Sequence, residues 1–324
     1  MKFPFVFTLF ISIAIAACAQ EDIDTLASFS NEEQEAEYQS FYTFEEEDEE
    51  VMGKAIVQGG NSGKVNTKPT ETVNGAPCKM WAILVADTYD KNIGEDDRYD
   101  NLALNKELNA IAQCLGIEIS ITNITANRAY DKRNLANAIT NIRPGKNDIV
   151  FFCFNGHGFR WDDQKDMYPN ICMIGPNDNV QGHYVATTDI YNAIKAKGAR
   201  LSVVITDCCN SYYGAYTPRQ KDNTLFCRTN TRVSKKRMQE LFLGTQGVIL
   251  ATAAKPGEYA WSFETGSAFT QSFIAQLRRE ASADQTETPN WQRLIDNAIE
   301  SARKKTTSCE NTQHGMRYMS ISKQ

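Results

Sequence analysis

Two reactive side chains stand directly after continuous apolar runs in this sequence. Ile149-Val150-Phe151-Phe152-Cys153-Phe154 leads into Asn155-Gly156-His157-Gly158, and Leu201-Ser202-Val203-Val204-Ile205-Thr206 leads into Asp207-Cys208-Cys209-Asn210-Ser211. A thiolate is a strong nucleophile, and a nearby imidazole both lowers the thiol pKa and later protonates a leaving group. A Cys/His pair is therefore sufficient for acyl transfer. The glycines flanking His157 would let a substrate backbone approach closely, and the backbone N–H groups of Gly158 and Cys209 suit a developing oxyanion. Taken singly, His157 is an ordinary turn histidine and Cys209 an ordinary buried thiol. Their joint position at the ends of two core strands is what favours catalysis. Cys208 competes with Cys209 as the nucleophile. In an extended chain neighbours alternate faces, so one of these two thiols must turn back into the core.

Positioning such a pair requires the two strands to be neighbours. Continuous rather than alternating apolar runs belong to parallel strands buried on both faces. Strands are expected at Met80–Ala86, Ile117–Ile121, Asp148–Phe154, Leu201–Thr206, Gly247–Ala253 and Arg317–Ser322. Helices are expected at Leu102–Leu115, Arg133–Ile142, Thr188–Lys197, Ser267–Glu280 and Pro289–Lys304. Within the first helix Leu104, Leu108, Ile111 and Leu115 set the spacing and Gly116 closes it. The alternation predicts an α/β fold, a three-layer αβα sandwich around a mostly parallel central sheet. A right-handed crossover of roughly 50 residues makes the two reactive strands natural neighbours. In such sheets ligands bind just outside the carboxyl ends of the strands. Residues 217–240, with Arg219, Lys221, Arg228, Arg232, Lys235, Lys236 and Arg237, read as a basic insertion.

The chain has 324 residues, 42% hydrophobic and 23% charged, which suits an ordinary globular core. Residues 1–75 hold 14 of the 40 acids but only 4 of the 34 bases, so an acidic leader precedes a weakly basic body. The bases are dispersed rather than gathered in a stripe, and no nucleic-acid partner is expected. Lys2, the apolar run Phe3–Ala17 and Ile15-Ala16-Ala17-Cys18 resemble an export signal ending in a bacterial lipobox. Residues 1–17 are then a signal peptide, and a lipidated Cys18 anchors an exported protein to the membrane at the cell envelope or surface. Plain secretion is the alternative. Residues 18–75 read as a disordered acidic tether, with ten acids between Asn31 and Glu50 and a Gly59-Gly60-Asn61-Ser62-Gly63 run. Cys114, Cys153 and Cys172 lie in apolar stretches suited to buried free thiols. With no Cys-x-x-Cys and three scattered histidines, no metal site is expected.

The strand ending in Gly-His-Gly and the later strand followed by Asp-x-Cys-x-Ser resemble the caspase-like cysteine peptidases, most of all the metacaspase and paracaspase branches. Gly266 with Phe269-Thr270 matches the Gly-x-x-Phe-Thr that opens a helix in that family's small-subunit region. The resemblance covers residues 78–324 and divides a domain over 76–324 into a large-subunit-like part (76–216), the basic insertion, and a small-subunit-like part (241–324). It implies a peptide or protein substrate, with His157 as general acid/base and Cys209 as nucleophile. Asp207 would line a pocket for Arg or Lys, with Glu107 as a second acid there. Capping of a turn, or pairing with Arg160, is the competing role for Asp207. No cofactor is implied in general, although metacaspases often need calcium, for which Asp96-Asp97 and Asp162-Asp163 are the candidate pairs. Asn210 and Tyr212 depart from the His and Gly common after the nucleophile. The Gln-Ala-Cys of caspases is absent, which argues against cleavage after Asp. Long exposed loops are readily nicked, so self-cleavage after Arg219, Lys221, Arg228, Arg232 or one of the Lys235–Arg237 cluster is also expected. Two competing functions are a catalytically silent surface binding module and a thiol-redox protein built on Cys208-Cys209.

Overall fold

A computed structural model describes residues 42–44, 72–73, 76–125, 129–174, 180–214, 231–263 and 265–323. The expected signal peptide, Cys18 and most of the tether lie outside the described residues, as do Arg219, Lys221 and Arg228. Within the tether two short strands are formed, Tyr42–Phe44 and Thr72–Val73. Residues 1–43 and 44–324 are separate units, and every element below belongs to the second.

The central sheet has six strands: β1 (Lys79–Ala86), β2 (Glu118–Thr125), β3 (Ile149–Asn155), β4 (Leu201–Asp207), β5 (Thr245–Thr252) and β6 (Met316–Lys323). Their spatial order is β6-β5-β4-β3-β1-β2. All neighbours are parallel except β6, which runs antiparallel to β5 at the edge. β3 and β4 are buried along their whole length, the outcome that their unbroken apolar runs require.

Helices α1 (Gly94–Leu115), α2 (Lys132–Asn141), α3 (Thr187–Lys195), α4 (Lys235–Phe242), α5 (Ala268–Glu280) and α6 (Trp291–Lys305) form the outer layers. Tyr130, Leu135 and Ile139 from the α2 region and Ile190, Tyr191 and Ile194 from α3 pack with Val150, Phe152 and Phe154 of β3. The alternate residue Phe151 faces the other way and meets Phe273 of α5 at 6.0 Å between ring centroids. On that second face α1 packs on α4 and α5, and α5 on α6. The three-layer sandwich is thus as expected.

Two elements differ from expectation. α1 starts at Gly94, two turns before Leu102, because its inward stripe is continued not by apolar side chains but by the buried acids Asp97 and Asp100. Hydrophobic periodicity cannot see a stripe of carboxylates. The second difference is α4, which occupies the end of the supposed basic insertion. Ser234 accepts the Arg237 N–H as its cap, while Met238, Leu241 and Phe242 are buried at i, i+3 and i+4. The Lys235-Lys236-Arg237 cluster is this helix's first turn, and Arg237 is pinned to the carbonyls of Glu280 and Gln285. Arg232 lies in a short strand, Thr231–Val233.

Candidate active site

β3 and β4 end level, with Asn155 opposite Asp207, and the chain beyond each strand runs on side by side. The Gly156 N–H donates to the Asp207 carbonyl (3.3 Å), the Arg160 N–H to Ser211 (2.8 Å) and the Tyr213 N–H to Arg160 (2.8 Å). His157 and Cys209 therefore sit on adjacent segments. Gly158 makes this closeness possible: a Cβ there would lie 2.5 Å from Cys208 Sγ and 2.6 Å from the Cys209 carbonyl oxygen. The close approach expected for a substrate backbone is taken up here by the protein's own chain.

Side chains brace the same two segments. Phe159, just after His157, meets Tyr213, just after Cys209, with centroids 5.3 Å apart, and Trp161 meets Tyr213 at 4.8 Å. Arg160 is buried and donates to Asn210 Oδ1 and to the carbonyls of Gln164 and Asp166, so it is not the partner of Asp207. Asn210, a departure from the family pattern, is a buried strut whose amide donates to the carbonyls of Met167 and Ala254.

The two neighbouring thiols face opposite ways, as strand alternation demands. Cys208 packs in the apolar cluster with Phe152 and Val204, and burial pushes its thiol well up. Cys209 Sγ lies 3.6 Å from the Ala260 carbonyl and accepts the Ala260 N–H at 3.4 Å. Burial pushes the Cys209 thiol up to about 11; the Ala260 N–H opposes that shift and the Asp207 charge adds to it. Cys208 and Cys209 are both free thiols.

His157 Nε2 lies 3.2 Å from Asp90 Oδ2. Burial disfavours the imidazolium, but the Asp90 contact, with Asp90 and Asp87 as nearby charges, outweighs it and leaves the histidine pKa above its ordinary value. The same contact is the main reason that Asp90 is held down at about 2.

Asp207 and Glu107 differ from the expected pair of open pocket acids. Glu107 is buried on α1 and forms a two-pronged ion pair with Arg278 of α5, through Nε (3.0 Å) and Nη2 (2.8 Å). Its charge is engaged within the helical layer. Asp207 Oδ2 accepts both the backbone N–H and the hydroxyl of Thr270, each at 2.8 Å. Thr270 lies in the first turn of α5, so Asp207 satisfies a helix N-terminus. Its burial pushes the carboxyl up to about 6. The acid that faces it across this site is Asp100, whose oxygens accept from Ser267 N–H (2.7 Å), Gln271 Nε2 (2.7 Å) and Asn155 Nδ2 (3.3 Å). Gly266 at φ 113° admits that contact, since a Cβ there would lie 2.3 Å from Asp100 Oδ1. The Gly-x-x-Phe-Thr segment thereby docks α5 onto both acids.

Asp87, Asp90 and Asp100 escaped the sequence reading, and Asp97 entered it only as half of a candidate calcium pair. A signal existed, because Asp87 and Asp90 directly follow β1, at the same strand-end edge as His157 and Cys209. The candidate calcium pairs do not fit such an ion: Asp162 and Asp163 are exposed, Asp97 is buried, and among the described residues no three His, Cys, Asp or Glu side chains converge on a metal-sized point.

Fold and site together define a thiol and an imidazole at adjoining strand ends of an αβα sandwich. A comparison with protein families matches residues 88–316 to the caspase domain, and the chain belongs to that family of cysteine peptidases. No curated protein matches the chain.

Proposed function

We propose that this protein is an exported cysteine endopeptidase that cleaves after Arg or Lys by a Cys209/His157 pair. The observation that carries the catalytic part is the seating of Gly158 on Cys208-Cys209, which holds the histidine loop against the nucleophile turn. In this reading the Cys209 proton passes to His157 and the thiolate attacks the scissile carbonyl, while the N–H groups of Gly158 and Cys209 receive the oxyanion. The imidazolium then gives that proton to the leaving amine as the C–N bond breaks. Water, deprotonated by the same histidine, hydrolyses the thioester and returns the thiol.

Preference for a basic residue draws support from an excess of buried acid beside the pair. Burial and the charges of Asp100, Asp87 and Asp207 push Asp97 well up, burial and the Asp207 charge push Asp100 up, and Asp97 Oδ2 is buried with no hydrogen-bond partner among the described residues. A substrate guanidinium or ammonium would relieve that repulsion, whereas an acidic residue would add to it. Asp207 with Asp100, rather than Glu107, is then the recognising pair. Export and anchoring through Cys18 rest on the leader sequence alone, and no helix among the described residues is long and apolar enough to cross a membrane. Self-processing is proposed at Arg219, Lys221 or Arg228, because Arg237 is engaged in a helix turn.

A second reading, a silent binding module, is favoured by one observation: the Cys209 thiol is buried, clasped by Ala260 and pushed up to about 11. The deciding experiment compares matched Arg, Lys, Asp and Leu peptides with wild type, Cys209→Ala and Asp207→Asn. Cleavage of Arg and Lys peptides that Cys209→Ala abolishes and Asp207→Asn weakens is the expected result. Turnover of none of the peptides, together with failure of an Arg-directed electrophile to label Cys209, would favour the module.

A further inference from the structure

The proposed mechanism uses a dyad, yet the imidazole has a further group against its Nε2. The β1 strand ends at Ala86 and the chain turns through Asp87-Thr88-Tyr89-Asp90 into α1. At that turn the two oxygens of the Asp90 carboxylate are used differently. Oδ1 accepts the backbone N–H groups of Asn92 (2.7 Å) and Ile93 (3.1 Å), while the Asp90 carbonyl accepts the Gly94 N–H (2.9 Å) that opens the helix. Oδ2 is thereby aimed outward, and it meets His157 Nε2 at 3.2 Å. A carboxylate locked by two backbone donors keeps its direction without relying on a free rotamer.

We infer that Asp90 is the positioning residue of the catalytic pair, fixing the His157 ring so that Nε2 carries a proton and Nδ1 is left to exchange one with Cys209. This rests on the peptidase reading above and deepens it. A carboxylate on one ring nitrogen selects the tautomer in which that nitrogen is the donor, and it stabilises the imidazolium that forms when the thiol gives up its proton. Such help matters here because Cys209 is buried and its thiolate needs a cation close by. The other titratable groups around the histidine do not offer the same contact. Asp87 from the end of β1 acts only as a nearby charge, and Cys208, Cys172 and Tyr130 are buried neutral groups from three other segments.

Asp90→Asn is the informative substitution. Its remaining carbonyl oxygen still serves Asn92 and Ile93, so the turn is kept, but an amide NH₂ now faces Nε2 and forces the opposite tautomer. The expected result is a fall in kcat of about 100-fold with little change in KM. The alkaline limb of the kcat/KM profile moves to lower pH by about one unit. Asp90→Glu, which keeps the charge, recovers part of the loss.

Alkylation of Cys209 by iodoacetamide, followed by mass spectrometry, reads the same coupling without any substrate. Its onset moves to higher pH in Asp90→Asn, toward that of His157→Ala. If wild type cleaves peptides and Asp90→Asn leaves both profiles where they were, the positioning role is wrong while the peptidase reading stands. If wild type cleaves no peptide, the peptidase reading fails and the alkylation profile alone decides on Asp90. Should Asp90→Asn not fold, an NMR titration of His157 in Cys209→Ala decides: a pKa at or below the ordinary histidine value overturns the inference.

Discussion

The two ends of the central sheet treat buried charge in opposite ways. At the amino ends of the strands Asp148 accepts the Lys79 N–H (2.9 Å), the Trp81 indole N–H (3.0 Å) and the Gly145 N–H (2.8 Å). Beside it Arg200 donates to the carbonyls of Asn147, Phe242, Leu243 and Thr245. Opposite charges are adjacent there, and each is fully served. At the carboxyl ends the charges of Asp87, Asp100 and Asp207 all bear on the buried Asp97; burial with the Asp207 charge pushes Asp100 up to about 8, and burial with the Asp90 charge pushes Asp87 up to about 6. The first arrangement is what a fold does to bury charge at least cost; the second is tolerated where charge is to be used.

The sharpest test of that contrast is removal of the reactive pair itself. Cys209→Ala and His157→Ala should each lower kcat/KM by at least about a thousandfold while leaving the thermal midpoint close to wild type. Loss of fold with loss of activity would mean that this end is structural after all. Asp148→Ala should do the reverse. It strands three donors, so unfolding free energy drops by about 3–5 kcal/mol, read by denaturant titration, while activity per folded molecule is retained.

Gly158→Ala falls between these. The added methyl meets a backbone oxygen and a thiol that cannot both move away, so about 1–3 kcal/mol of stability and most of the activity are expected to go together. Gly182→Ala is its control: nothing lies within 4 Å of a Cβ there, and only the strain of φ 78° is added. That should cost about 1 kcal/mol and no activity.

The smallest effect is a slope. Asp87, Asp100 and Asp207 have native pKa values above the ordinary 3.8, so between that value and about 8 the folded chain holds protons that the unfolded chain has released. These groups make stability fall as pH rises across that window. Asp90, held at about 2, acts with the opposite sign and only below the window, as pH falls from 3.8 toward 2. Thermal midpoints followed across the window should decline less steeply in Asp100→Asn than in wild type. Equal slopes would deny that Asp100 titrates there.

What could be read from the chain follows from which physical signal each feature leaves. β3 and β4 are unbroken apolar runs, so their burial, their parallel pairing and the reactive residues beyond them were legible. The first turns of α1 were not, because Asp97 and Asp100 occupy the inward stripe where periodicity looks for apolar residues. α4 hid behind Lys235-Lys236-Arg237, whose charge suggested a solvated loop although Met238, Leu241 and Phe242 keep the helical spacing. Glu107 differs for the converse reason: the family resemblance pointed to an acid there but not to Arg278, which lies 171 residues away in sequence and pairs with it. The place of Asp90 just beyond β1 could have been noticed, but not the turn that points its Oδ2 at His157.

The strand order also decides what a cut chain would become. β4 and β5 are adjacent, in register from Leu201 beside Gly247 to Thr206 beside Thr252, and Asp207 is bonded to Thr270 beyond them. A break anywhere between Tyr213 and Thr231 would therefore pass between two middle strands of one sheet. The resulting pieces would meet through a core-like surface of the kind found in obligate heterodimers, so they would travel as one particle under native conditions and separate only in denaturant. Cleavage in that interval changes the covalent connectivity and frees two chain ends while leaving the assembly whole.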